Sequence, residues 1–115
     1  MQNVLFNGRL AADPEISRFG EGKSKAIFRL LENRGKDNQD RDRIVGVNCV
    51  SWSNGLNEKV IMEGLAKGCE VIVTGYFVDT EWEGSDGKKK FAKELVIREL
   101  RVLDWATPSE ERQAA

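Results

Sequence analysis

Histidine is absent from this chain, and with it the commonest general base and the commonest metal ligand. Its 2 cysteines, Cys49 and Cys69, stand far apart and form no C-x-x-C pair, which removes the usual zinc and dithiol chemistry. The glycines lack the spacing of a phosphate-cradling loop. No window of about eighteen consecutive apolar residues occurs, so no membrane-spanning helix is expected. The first nine residues are too polar for the apolar stretch of a secretory signal, which leaves the cytoplasm as the expected location. A net charge of -1 excludes a global basic field, so any polyanion site must arise from local clustering. Together these absences argue against an enzyme and imply no metal and no cofactor.

What remains is a chain of 115 residues, enough for one domain with a real core. Its most informative stretch runs from Ile44 to Trp52. Val45, Val47 and Cys49 fall on one side at period two; Gly46, Asn48 and Trp52 fall on the other, with Val50 among them. A Trp beside Gly and Asn suits a flat platform for a planar group better than it suits a core. The plainer alternative is a Trp half-buried against a loop or a second subunit.

The elements follow in a recognisable order. Residues 3–10 read as a strand, broken near Pro14, with pairing resumed over residues 16–19. Residues 24–31 carry Ala26, Phe28 and Leu30 on one face. Residues 32–43 hold almost nothing apolar and read as a loop or hairpin tip. The platform strand comes next, then a helix with Asn54 as its cap, a stripe of Leu56, Val60, Ile61 and Leu65, and a stop at Lys67-Gly68. Residues 70–80 and 88–103 form two long strands joined by a turn at Gly84-Ser85-Asp86-Gly87. Three strands, one short helix and two strands describe an all-β protein, a five-stranded OB-fold Greek-key barrel with an extended hairpin between its last two strands. The domain is expected to span residues 1–104, with a short flexible tail over 105–115.

Candidate binding residues sit where an OB-fold ligand lies. Trp52 ends the third strand, and Tyr76 and Trp82 share one side of the fourth. Phe91 on the return strand is either a further stacking group or a cap on the hairpin. Between Arg18 and Arg43 there are eight Lys and Arg against five Asp and Glu, an excess of three that includes Arg34 and Lys36. Lys88-Lys89-Lys90 forms a second patch, suited to phosphates or to guarding a strand edge. Asn48 lies on the platform face. Trp105 is expected to pack on the barrel or at an interface rather than to bind.

Several segments carry a family likeness when taken in order. Val4-Leu5-Phe6-Asn7-Gly8-Arg9-Leu10 precedes Asp13-Pro14-Glu15, and Phe28-Arg29-Leu30-Leu31-Glu32-Asn33-Arg34 follows. Lys67-Gly68, Val71, Val73 and Gly75 then lead to Trp82, Gly87 and Phe91. The chain resembles the bacterial single-stranded DNA-binding protein family over residues 3–103. That resemblance implies a homo-oligomer, a tetramer or else a dimer, that coats single-stranded DNA in replication, recombination or repair. It places Trp52 and Trp82 at stacking positions. Departures are Gly46, where the family has an aromatic, and Gly35-Lys36, where another is common. Typical members also carry a long linker and an acidic tip that recruits repair enzymes. This sequence ends in a different way over residues 107–115, which implies a tail-less phage or plasmid paralogue or a shortened chain, with no recruitment through such a tip.

Two functions therefore compete. One is sequence-tolerant binding of single-stranded DNA by stacking plus phosphate contacts. The other is an OB-fold subunit of a primosome or replication-restart complex, whose main partner is protein. An RNA-binding OB domain is a third and weaker reading.

Overall fold

The computed structural model describes residues 2–106, and of the expected tail over 105–115, residues 107–115 lie outside them. Six strands form: β1 (Val4–Leu10), β2 (Glu15–Phe19), β3 (Lys23–Lys36), β4 (Asp42–Ser51), β5 (Glu70–Glu83) and β6 (Lys89–Asp104). Pairings run β1–β5, β5–β6, β6–β4, β4–β3 and β3–β1, which closes a circuit of five strands, with β2 added at the outer side of β3. Among the described residues only the β4–β6 contact is parallel. This is the OB-fold connectivity.

Alternation decides which residues line the interior. Ala26, Phe28 and Leu30 of β3 meet Val47 and Cys49 of β4, Val71 and Val73 of β5, and Leu95 and Ile97 of β6. Leu30, Leu95, Val71 and Val73 are fully enclosed, and each contributes about 1.5–3 kcal/mol of burial. The helical segment, residues 54–64, caps one end through Ile61. Its middle, Asn57–Ile61, is π-wound.

Four sequence expectations need correction. Residues 15–19 are a separate strand rather than a continuation of the first. Residues 32–36 and 42–43 are strand, so the loop shrinks to 37–41. This ribbon lies beyond the core, where backbone pairing and surface polar contacts hold it and no apolar pattern is needed. Lys36 and Asp42 bridge it at 3.0 Å. At its tip the Asp37 carboxylate accepts from the Arg41 and Gln39 amides, at 2.9 and 2.8 Å. Those contacts, the Arg41 amide foremost, hold its carboxyl below the usual range. The helix cap is Ser53, whose hydroxyl accepts from the Leu56 amide at 3.3 Å. Asn54 instead accepts from the Ser24 amide at 2.8 Å, tying the segment to β3. Finally, the helix ends at Gly64, and Gly68 serves a later turn (φ 92°) whose amide donates to Leu10 O at 3.0 Å.

Both cysteines are buried and unpaired, as structural residues should be. Trp105 packs over Gly64, where a β-carbon would come within 3.2 Å of its ring, and the Ala106 amide reaches Cys69 Sγ at 3.2 Å. Desolvation pushes the Cys49 thiol up from 9.0 to about 12. The folded state thus favours the neutral thiol more than the unfolded chain does. Its contribution to stability is complete below pH 9 and is lost as pH rises toward 12. Denaturant melts at pH 8 and pH 10.5 should show a fall in midpoint that Cys49→Ala reduces; an equal fall in both proteins contradicts this.

Candidate nucleic-acid interface

The barrel's outer face is continuous across β3, β4, β6 and β5, and the register fixes what it presents. Ile27 lies opposite Val50, which lies beside Val96, which pairs with Tyr76. One step along, Arg29, Asn48, Glu94 and Val78 form the next row. Val50 is only 2 % exposed although it belongs to this face, because Ile27 and Val96 flank it.

Trp52 follows β4 directly, two residues past Val50. Lys25 sets its ammonium 4.8 Å from the ring centroid, and Phe19 meets the ring edge-on at 6.1 Å. These contacts fix the indole while leaving Trp52 52 % exposed. Trp82 stands at the far end of the face, opposite Lys90 on the hairpin and 50 % exposed. Six positions along β6 separate the Val96 row from the Lys90 row, roughly 20 Å at ~3.3 Å per residue.

Tyr76 lies between them and is half-buried, with Arg98 Cζ 4.9 Å over its ring. The arginine reaches that place because β6 bulges there: Thr74 pairs with Glu99 and Gly75 with Ile97, leaving Arg98 extra. Phe91 lies on the other side of the hairpin. It pairs with Glu81, while Trp82 pairs with Lys90. Lys89 shares the Phe91 side and bridges Glu81 at 3.3 Å. Lys90 shares the Trp82 side, 4.0 Å from Asp86. The Lys88 amide donates to Asp86 within the turn. Arg34 bridges Glu32 at 3.1 Å, and Lys36 is taken by Asp42. The structure therefore brings Trp52, Asn48, Tyr76, Trp82 and Lys90 to one face. Phe91 and Lys89 fall on the opposite one, and Arg34 and Lys36 belong to the β3–β4 ribbon.

Lys25 and Arg29 count among the cations between Arg18 and Arg43, but sequence reasoning did not single them out as residues of this face. The signal for both was period two: they share a side of β3, opposite Trp52 and Asn48. Among the described residues no group of His, Cys, Asp and Glu is arranged to hold a metal ion. None of their helices is long and apolar enough to cross a membrane.

Residues 1–103 match the model of the single-strand binding protein family. The chain belongs to that family. Among its relatives, the single-stranded DNA-binding protein of Enterococcus faecalis is 29 % identical over 113 residues, 97 % of this chain and 59 % of the relative. Single-stranded DNA-binding protein 2 of Listeria monocytogenes is 31 % identical over 105 residues, 90 % of this chain and 64 % of the relative. The chain thus spans about three-fifths of the length of the curated relatives it matches. A solved Plasmodium falciparum SSB in complex with single-stranded DNA superimposes with a TM-score of 0.81 at 21 % identity, covering 90 % of this chain and 96 % of the other. That likeness concerns the fold. In this family member, the exposed aromatic ends of the outer face are the features that its function must accommodate.

Proposed function

We propose that this protein binds single-stranded DNA with little sequence preference, laying the strand across the outer face from Trp52 to Trp82. One observation carries the reading: two large indoles, each about half exposed, stand at the two ends of one continuous sheet face. Indoles stack on any base, which makes such binding tolerant of sequence. Phosphates are met by Lys90 and by the cations of β3, with Asn48 beside them. The relatives' names point the same way, and binding of this kind protects strands during replication, recombination or repair in the cytoplasm. Leu5 and Leu103 remain 64 % and 55 % exposed beyond the path from Trp52 to Trp82 and suit self-association, for which a tetramer is favoured over a dimer.

Tryptophan fluorescence titrated with a polypyrimidine DNA oligomer tests the reading directly. Strong quenching is expected, with log affinity falling against log salt at about -0.7 per neutralised phosphate. No quenching and no binding at low salt would overturn it. The primosomal, protein-partner reading would then be preferred.

A further inference from the structure

Gly46 lies midway along the outer face of β4, and its missing side chain is replaced by another residue's. The Arg29 guanidinium occupies the space: a β-carbon at residue 46 would come 2.7 Å from its Cζ and 3.0 Å from its Nε, with Nη2 nearer still. Arg29 and Asn48 are direct cross-strand partners, and Arg29 Nη1 donates to Asn48 Oδ1 at 2.8 Å. The side chain is exposed, yet the bond from Nη1 to Asn48 tethers one end of its head group. Its electrostatic setting differs from that of the cations paired to carboxylates, as do those of Lys25 and Arg98 on this face, which lie over aromatic rings. Arg34, Lys36, Lys89 and Lys90 each face a carboxylate, whereas Arg29 is held by a neutral amide and has no ion pair among the described residues. The nearest acid in register is Glu94, on β6, with Asn48 between.

We infer that Arg29 is a base-stacking platform of the interface, a planar cation seated where β4 offers glycine. The inference rests on the single-stranded DNA reading above and adds a residue to it. A guanidinium is flat, weakly hydrated and attracted to the face of an aromatic ring, so a nucleobase can stack on it much as on a tryptophan. Glycine is required beneath it, because any side chain at residue 46 would displace it. Asn48 holds the head group in place before the ligand arrives, so little side-chain freedom is lost on binding.

The test uses the full chain with a fluorescein-labelled oligo-dT. Arg29→Lys keeps the charge and removes the plane. It should weaken binding roughly 5- to 100-fold, the range of one lost base stack, while the salt slope stays that of the unaltered protein. Arg29→Ala should lose as much and also reduce the slope. Adding Gly46→Phe to Arg29→Ala sets a ring in the vacated space and should recover most of the affinity. If Arg29→Lys binds as tightly as the unaltered protein, charge suffices and the platform is overturned. It is overturned equally if the added phenylalanine recovers nothing. Should Trp52→Ala and Trp82→Ala weaken binding while Arg29→Lys does not, only the arginine assignment falls. Failure of the unaltered protein to bind overturns both readings together.

Discussion

Replacing Trp52 and Trp82 together by alanine should weaken single-stranded DNA binding at moderate salt by at least about thirtyfold while leaving the barrel folded. Each indole contributes about 1–3 kcal/mol as a stacking surface. Trp52 lies beyond the Val96 row and Trp82 on the Lys90 row, so the two stand more than about 20 Å apart along the face and their losses should add to within about 0.5 kcal/mol. The combined loss is then about 2–6 kcal/mol, from thirtyfold to more than ten-thousandfold in affinity. Both rings are half exposed, and neither belongs to the enclosed core, so thermal stability should change little. Trp52→Ala alone should show the larger structural echo, because it also releases Lys25 and Phe19. Phe91→Ala serves as the internal control. It is the most exposed of these aromatics, at 70 %, yet register sets it on the opposite side of the hairpin. Anisotropy with labelled oligo-dT should give Phe91→Ala an affinity close to that of the unaltered protein. A double variant that still binds normally would remove the interface from this face altogether.

That contrast between Trp82 and Phe91 shows where sequence patterning stops being informative. Within each core strand, alternation exposed the fold: Ala26, Phe28 and Leu30, or Val71 and Val73, must face inward for any apolar surface to be buried, and the structure places them there. The order of elements then led to the OB connectivity. Relating one strand's faces to another's requires the register, and the register across β5 and β6 depends on how many residues the turn consumes. Residues 32–36 were illegible for the opposite reason, since a two-stranded ribbon that faces no core carries no burial pattern to read. The cap at Ser53 was one residue from Asn54, and a part-buried hydrogen bond from the Ser24 amide to Asn54 decided between them. Arg29 was legible as a cation but not as an occupant of Gly46, because the glycine lies diagonally across two strands. In each of these cases a long-range pairing was missing from the sequence pattern.

Gly75→Ala should be the most destabilising single-methyl addition on the barrel wall. Gly75 pairs with Val4 on one side and Ile97 on the other, just where β6 bulges. A β-carbon there would lie 2.9 Å from the Val96 carbonyl carbon and 3.3 Å from Ile97 Cα, with the Val96 oxygen closer still. All of these are backbone atoms, so no side chain can swing aside; the two strands must separate. Overpacking of this kind costs about 2–3 kcal/mol, which for a domain of this size lowers Tm by roughly 10 °C or more. Displacing the bulge also moves Arg98 off Tyr76, so oligonucleotide affinity should fall beyond what partial unfolding explains. Gly55→Ala is the matched comparison. It adds the same methyl group within the helical segment, where the nearest atom would be Ser53 Oγ at 4.0 Å, and should stabilise by about 0.5–1 kcal/mol through lower chain entropy. Calorimetry on the two variants should therefore move Tm in opposite directions. If Gly75→Ala melts with the unaltered protein, β5 and β6 do not approach this closely, and the bulge that carries Arg98 over Tyr76 must be redrawn.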